Sequence, residues 1–257
     1  MEIFLNCGFE TMKIADIDNF QLRNSEDSRL LWGCVQKKDH WTPAAVVDCF
    51  IQARKTCLNH TIKMVKTIRL RGTAASQIMD KHDDLKLLYL IRDPRGAITS
   101  QIRIFHNYKW EEVDLFSAKY CQIFREDLAE IVKLIDRYPQ RVKIVCYESL
   151  AKRPLEMSEE LYRFLGLEYT SAVKTFVFNK TMAGKNANSA YGTSRSNSSK
   201  AAYSWRKILT FSAAQTIDRN CRDIYEMLGY VPVNSAKELV NFSHELRKPA
   251  KFREQLV

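Results

Sequence analysis

The sequence predicts an α/β fold in which a parallel sheet is flanked by helices. Three observations carry this. Strand-length apolar runs alternate with longer stretches of helical periodicity, one run is apolar almost throughout as a doubly buried strand is, and a proline-in, glycine-out pattern brackets a helix.

In chain order, Val46, Val47, Phe50, Ile51 and Cys57 recur at helical spacing between Pro43 and Leu58, and a first strand is expected at residues 62–70. A second strand spans residues 85–91, and Pro94 stands where the next helix has its first turn, with Ala97, Ile98, Ile102 and Phe105 along it. A long helix over residues 115–138 puts Phe116, Tyr120, Ile123, Leu128, Ile131, Val132 and Ile135 on one side, and Pro139 closes it. A third strand covers 142–147. Pro154 then opens a helix holding Leu155, Leu161, Phe164 and Leu165, which stops at Gly166. Residues 180–203 are polar and rich in Ser, Asn, Thr and Gly, a loop long enough to be either functional or disordered. A last helix, 212–228, ends at Gly229, and beyond Val233 the chain is charged without a clear fold signal.

Forty Lys plus Arg against thirty Asp plus Glu leave a formal charge of +10, which favours an anionic partner. Nucleic acid ranks last among such partners, since no recognition motif or basic stripe interleaved with aromatics accompanies the charge. No apolar run of about eighteen residues occurs and the N-terminus lacks the pattern of a secretory leader, so neither an anchor nor a signal peptide is expected in this chain. Asn59, Asn179, Asn197 and Asn241 each begin an Asn-x-Ser/Thr acceptor. Seven cysteines and five histidines show no metal-ligand spacing, so no metal is expected. Cys121, Cys146 and Cys221 lie in apolar patterns that suit buried free thiols, whereas Cys7, Cys34, Cys49 and Cys57 cluster and can pair in more than one way in an oxidising compartment.

The segment LKLLYLIRDPRGAITSQ, residues 85–101, carries the chemistry. A strand runs into a helix whose first turn has unpaired amides and a partial positive charge, a seat for an anion. Arg92 at the strand's end offers a fork of donors, Ser100 a hydroxyl, and Arg95 further positive charge. Pro94 begins the helix, and Asp93 is placed to cap it and orient Arg92.

This order, a strand, Arg-Asp-Pro-Arg, and a serine eight residues after the first arginine, resembles the 3′-phosphate-binding motif of sulfotransferases. The resemblance extends over residues 62–233 and is closest to the Golgi carbohydrate 6-O-sulfotransferases acting on Gal, GalNAc or GlcNAc. VKTIRL at 65–70 looks like that family's Lys-x-x-Arg strand, and VCYESLAKRPL at 145–155 like its strand leading into a Pro-led helix. LYRFLGL, the Asn179 acceptor, YGTSRSNSSKAAYSWRKIL and LGYVPV follow in the family's order. The resemblance implies a P-loop-kinase-like sulfotransferase fold over 1–233 with a charged tail at 234–257. It also implies the co-substrate 3′-phosphoadenosine 5′-phosphosulfate without a metal, a glycan, glycoprotein or proteoglycan acceptor, and the Golgi lumen. Arg92 and Ser100 would hold the 3′-phosphate, and Thr193 to Arg195 would lie in a loop over the nucleotide whose return Trp205 and Arg206 anchor as structural residues. Tyr147 would be a packed core aromatic.

Family members also carry a membrane anchor, a first strand, a loop for the 5′-phosphosulfate and an acidic general base. Met1 to Phe9 resembles a segment after that loop, so those parts are expected to be missing and the catalytic residues stay unassigned. The alternative to a transferase is a non-catalytic nucleotide- or glycan-binding remnant of the same fold.

Overall fold

The computed structural model describes residues 2–11, 29–36, 43–68, 70–104, 109–183 and 194–248. The chain divides into two compact units, residues 1–70 and 71–257.

The first unit holds α1 (Glu2–Leu5), α2 (Arg29–Gln36) and α3 (Pro43–Leu58). Its small core comprises Leu31, Val35, Cys49 and Phe50, with Phe9, Cys34 and Ala53 packed against it. Along α3 the buried stripe therefore differs from the expected one: Val47 and Ile51 are exposed. Two disulfides reinforce this core, Cys7–Cys57 and Cys34–Cys49, which settles the pairing left open by the sequence. Among the described residues this cluster is small, and the two disulfides add covalent closure to it.

Residues 62–70 do not form the expected strand. Their described part runs without ladder partners, with Ile62, Met64 and Ile68 at 58%, 85% and 70% exposure. A strand is held by its neighbour's backbone and by burial of one face, and this segment has neither.

The second unit begins with α4 (Gly72–Lys81), a helix not foreseen from sequence, and continues through β1 (Leu87–Ile91), α5 (Pro94–Ile104), α6 (Val113–Arg137) and β2 (Val142–Cys146). Among the described residues β1 and β2 form a two-stranded parallel sheet, in register from Leu87 opposite Val142 to Ile91 opposite Cys146. The crossover that parallel pairing requires is supplied by α5 and α6. β2 is buried nearly throughout, but β1 is not: Leu88 and Leu90 are 36% and 58% exposed, against the expectation of a strand covered on both faces. With one partner strand among the described residues, β1 packs only its alternate side chains.

α6 turns a slightly different face inward than expected. Ser117, Cys121, Phe124, Asp127, Leu128 and Leu134 are buried with Ile131 and Ile135, while Phe116, Tyr120, Ile123 and Val132 are only partly covered.

Next come α7 (Tyr147–Lys152), α8 (Pro154–Leu165), the unforeseen α9 (Ser171–Thr181) and α10 (Ser198–Ala202). α8 starts on Pro154 and stops at Gly166, which takes φ 75° as a left-handed cap. The helix expected over 212–228 is two, α11 (Phe211–Asn220) and α12 (Arg222–Leu228), separated at Cys221. Cys221 is bonded to Cys121, so two of the three cysteines read as free thiols form a disulfide and only Cys146 is free. The partners lie 100 residues apart, and only the packing of α11 on α6 brings them together.

The charged stretch after Val233 has a defined fold over its described residues, 234–248. It contains α13 (Ala236–Val240), buries Leu239 and Leu246, and returns so that the Val231 and Lys248 amides donate to the carbonyls of Leu246 and Gly229.

Candidate functional site

The parallel register carries residues 92–93 and 147–148 out of the sheet side by side, because Ile91 and Cys146 are partners at its end. Ligands of open parallel sheets bind at this carboxyl edge. Four side chains from the two strand ends diverge into two roles.

Asp93 and Glu148 turn inward, at 2% and 3% exposure. Asp93 Oδ1 accepts the backbone N–H of Arg95 at 2.9 Å, the helix cap expected for α5. Its charge, however, goes to Arg95 and not to Arg92: Arg95 Nε donates to Oδ1 at 3.0 Å and Nη2 to Oδ2 at 2.8 Å. Arg95 Nη1 donates to the Val231 carbonyl at 2.9 Å and lies 3.3 Å from Asp218. The guanidinium also lies over the rings of Trp205 and Tyr225, each centroid 5.0 Å away. At 0% exposure Arg95 serves the interior, where sequence reading had put its charge at the mouth of the site. The consequence is still electrostatic. An ionised cap at a helix mouth would repel an incoming anion, and Arg95 cancels that charge from within.

Glu148 accepts the Asp93 amide at 3.0 Å, the Tyr230 hydroxyl at 3.1 Å and the Cys146 thiol at 3.2 Å. Burial pushes its carboxyl up from the ordinary value, and the neighbouring Asp93 charge adds to the effect. The native state therefore holds this proton more firmly than the unfolded chain does. The associated stability is present below the ordinary carboxylate range and is lost as pH rises through the raised native value. Glu148→Gln has no proton to lose, and the hydroxyl and thiol facing it can turn to accept. It is expected to flatten the fall in stability from acid to neutral pH. Urea titrations of both proteins across that range test this, and parallel profiles would refute it.

Arg92 and Tyr147 face outward and are half-buried. The Arg92 guanidinium lies over the Tyr147 ring, 4.7 Å from its centroid, so Tyr147 is a platform for the arginine more than a core aromatic. Arg92 Nε is buried without a hydrogen-bond partner. Gly96 explains the crowding here: a Cβ on it would stand 2.8 Å from Trp205 Cδ1, 3.1 Å from Trp205 Nε1 and 3.3 Å from Arg92 Nε. Only a residue without a side chain lets the indole and the arginine meet over the first turn of α5.

Pro94 occupies the first turn and is buried. Ser100, half-buried, follows Gly96 by four residues and so lies one helical turn along the same face, with Thr99, buried and unpartnered at its hydroxyl, beside it. Gly96 thus lets Arg92 and Trp205 come together over the first turn of α5, and Thr99 and Ser100 lie about one turn further along the helix. Sequence reading missed Gly96 and Thr99, and their only signal was an Arg-Gly and a Thr-Ser inside a helix start.

Thr193 lies outside the described residues. Arg195 is half-buried, with its amide donating to the Lys180 carbonyl at 2.8 Å and Nη1 to the Ser194 carbonyl at 2.8 Å. The chain returning from it is pinned at three further points. Asn197 caps α10, Ser198 donates to the Ala151 carbonyl at 2.6 Å, and Arg206 donates to the carbonyls of Glu238, Leu239, Asn241 and His244. Arg206 is thus structural, as expected.

The sulfotransferase domain family matches residues 56–232. The chain belongs to the sulfotransferase family. Its architecture is the α/β sulfotransferase fold, with the Arg92 to Ser100 segment running from the end of β1 into α5. Among the relatives this sulfotransferase resembles are carbohydrate sulfotransferase 1 of Danio rerio, 30% identical over 76% of this chain and 50% of the relative, and carbohydrate sulfotransferase 3 of Mus musculus, 30% identical over 76% and 44%. Carbohydrate sulfotransferase 4 of Mus musculus is 26% identical over 77% of this chain and 55% of the relative. The chain spans about half the length of the curated relatives it matches. No solved structure matches it at a significant level.

Proposed function

We propose that this chain holds the 3′-phosphate of 3′-phosphoadenosine 5′-phosphosulfate, and that the protein transfers the sulfuryl group to a carbohydrate hydroxyl, the 6-O of Gal, GalNAc or GlcNAc. The observation that carries this reading is the placement of Arg92, aromatic-backed and with an unpartnered Nε, at the mouth of α5 and the carboxyl edge of the sheet. The relatives' names support the carbohydrate acceptor. In this reading Arg92 and Ser100 bind the phosphate, Pro94 and the Asp93 cap fix the helix turn that faces it, and Thr193 to Arg195 belong to the covering loop.

The bound nucleotide supplies the activated sulfuryl group. The residues described here grip the end of the donor remote from the reaction, and such binding contributes to rate by positioning the reacting end.

A lumenal, oxidising compartment, the Golgi, fits three disulfides that use six of the seven cysteines. The asparagines of all four glycosylation acceptors are exposed, at positions 59, 179, 197 and 241, as glycan attachment requires.

Calorimetry with adenosine 3′,5′-bisphosphate tests the reading. The chain is expected to bind it more tightly than adenosine 5′-monophosphate, and Arg92→Ala to weaken the bisphosphate about 10- to 100-fold, the worth of a hydrogen bond to a charged group. Equal affinity for the two nucleotides, or no binding of either, would reject it. Incubation with radiolabelled sulfate donor and a glycan panel then separates a transferase from a binding remnant of the same fold.

A further inference from the structure

The last pair of the ladder is Ile91 with Cys146, and Arg92 follows at once, two residues before α5 begins. Its neighbour Asp93 is pinned at three places. The amide donates to Glu148 Oε1 at 3.0 Å, the carbonyl accepts the Ala97 amide at 2.9 Å, and the carboxylate holds the Arg95 amide and guanidinium. The second and third of these bonds stay within the start of α5. The first ties the turn back to the end of β2, and it does so through a side chain.

A carboxyl at 3% exposure is costly to bury, and an apolar residue would fill the same space without that cost. What Glu148 adds is an acceptor where the ladder has run out. The amide it takes belongs to the peptide unit joining Arg92 to Asp93, so the bond fixes the plane of that unit. The plane on the other side of Arg92 is set by the ladder at Ile91. With both planes held, the Arg92 side chain leaves the backbone in one direction. Tyr147, adjacent to Glu148, then supports the guanidinium, 4.7 Å from its ring centroid.

We infer that Glu148 is a positioning residue for Arg92, acting through the Asp93 amide to aim the guanidinium at the bound anion. This rests on the reading of that anion as the nucleotide's 3′-phosphate.

Glu148 is held in its turn. The Tyr230 hydroxyl and the Cys146 thiol donate to Oε2 at 3.1 Å and 3.2 Å, which leaves Oε1 for the amide. Tyr230 is buried and forms an antiparallel bridge with Arg247, whose guanidinium lies 5.8 Å from the ring centroid. The next amide, that of Val231, donates to the Leu246 carbonyl at 3.0 Å. Leu246 and Arg247 lie beyond residue 232, where the family match ends, yet they help to place the hydroxyl that orients Glu148. A binding side chain locked by such supporting bonds loses little freedom when its ligand arrives.

Calorimetry on the full chain with adenosine 3′,5′-bisphosphate and adenosine 5′-monophosphate tests this. Glu148→Leu removes the acceptor and is expected to weaken the bisphosphate about tenfold, within the range lost when the supporting partner of a ligand-holding group is removed. Affinity for the 5′-monophosphate should not change. Glu148→Gln keeps an acceptor at the same reach and should retain the preference for the bisphosphate. Glu148→Asp keeps the carboxyl but withdraws it from the amide, and should lose part of that preference; the order then follows reach and not charge. On an Arg92→Ala background, Glu148→Leu should bring no further loss, because a residue acting through Arg92 has nothing left to position.

If Glu148→Leu does not fold, Glu148→Asp takes its place in the comparison with Arg92→Ala. An undiminished preference in the folded variant overturns the inference. So does a loss of equal size on the Arg92→Ala background, or a Gln variant as weak as the Leu or Asp one. Each of these leaves the 3′-phosphate reading intact so long as the wild-type protein prefers the bisphosphate. Absence of that preference in the wild type instead rejects the underlying reading.

Discussion

Arg95→Leu is expected to lower the free energy of unfolding by about 3–5 kcal/mol, the cost of breaking a buried ion pair by removing one partner. Arg95 is wholly enclosed, and its removal leaves Asp93 and Asp218 buried at 2% and 6% exposure with no cation against them. The leucine fills part of the space but offers nothing to either carboxylate, nor to the Val231 carbonyl that Arg95 now serves. A typical domain is stable by about 5–15 kcal/mol, so a loss of this size removes a large share of the total. Urea unfolding at neutral pH measures it. Asp218→Asn on the same background should recover part of the loss, because it deletes one of the stranded charges. A cost below about 1 kcal/mol for Arg95→Leu would show that the two carboxylates do not depend on the arginine.

Replacing Cys121 and Cys221 together by alanine is expected to cost about 4 kcal/mol. The bond closes a loop of 100 residues, and the entropy withheld from an unfolded chain grows with loop length. The same pair fastens α6 to the junction of α11 and α12, and so secures the platform on which Asp218 reaches Arg95. Both cysteines are fully buried, which makes alanine the replacement that strands no polar group. Thermal and urea unfolding of the oxidised wild type against the double variant give the difference without disturbing the other two disulfides. Equal stabilities would show that the link constrains nothing beyond the packing already present.

Local signals in the chain were legible where one element's identity depends on its own residues. Pro94 and Pro154 start helices, Gly166 and Gly229 end them with φ 75° and 79°, and 142–146 is a strand as its apolar run suggests. α4 and α9 escaped notice because neither carries a strong apolar stripe: α9 buries no residue fully, and α4 buries only Gly72, Ala75 and Met79. The expected strand at 62–70 failed for the opposite reason. Its pattern is right for a strand, but a pattern cannot supply the neighbour whose backbone completes it.

By itself the sequence determined that an arginine would stand at the end of a strand, before a helix opened by Pro94 and capped by Asp93, because dihedral preference and capping act over a few residues. Only the tertiary structure decided that Arg95 belongs to the interior, that Cys121 bonds Cys221, and that Trp205 packs beside Arg92 over Gly96. Those outcomes depend on atoms 100 or more residues apart being pressed into contact. Burial and charge pairing select such contacts once the whole unit has closed, and no local run of residues encodes them.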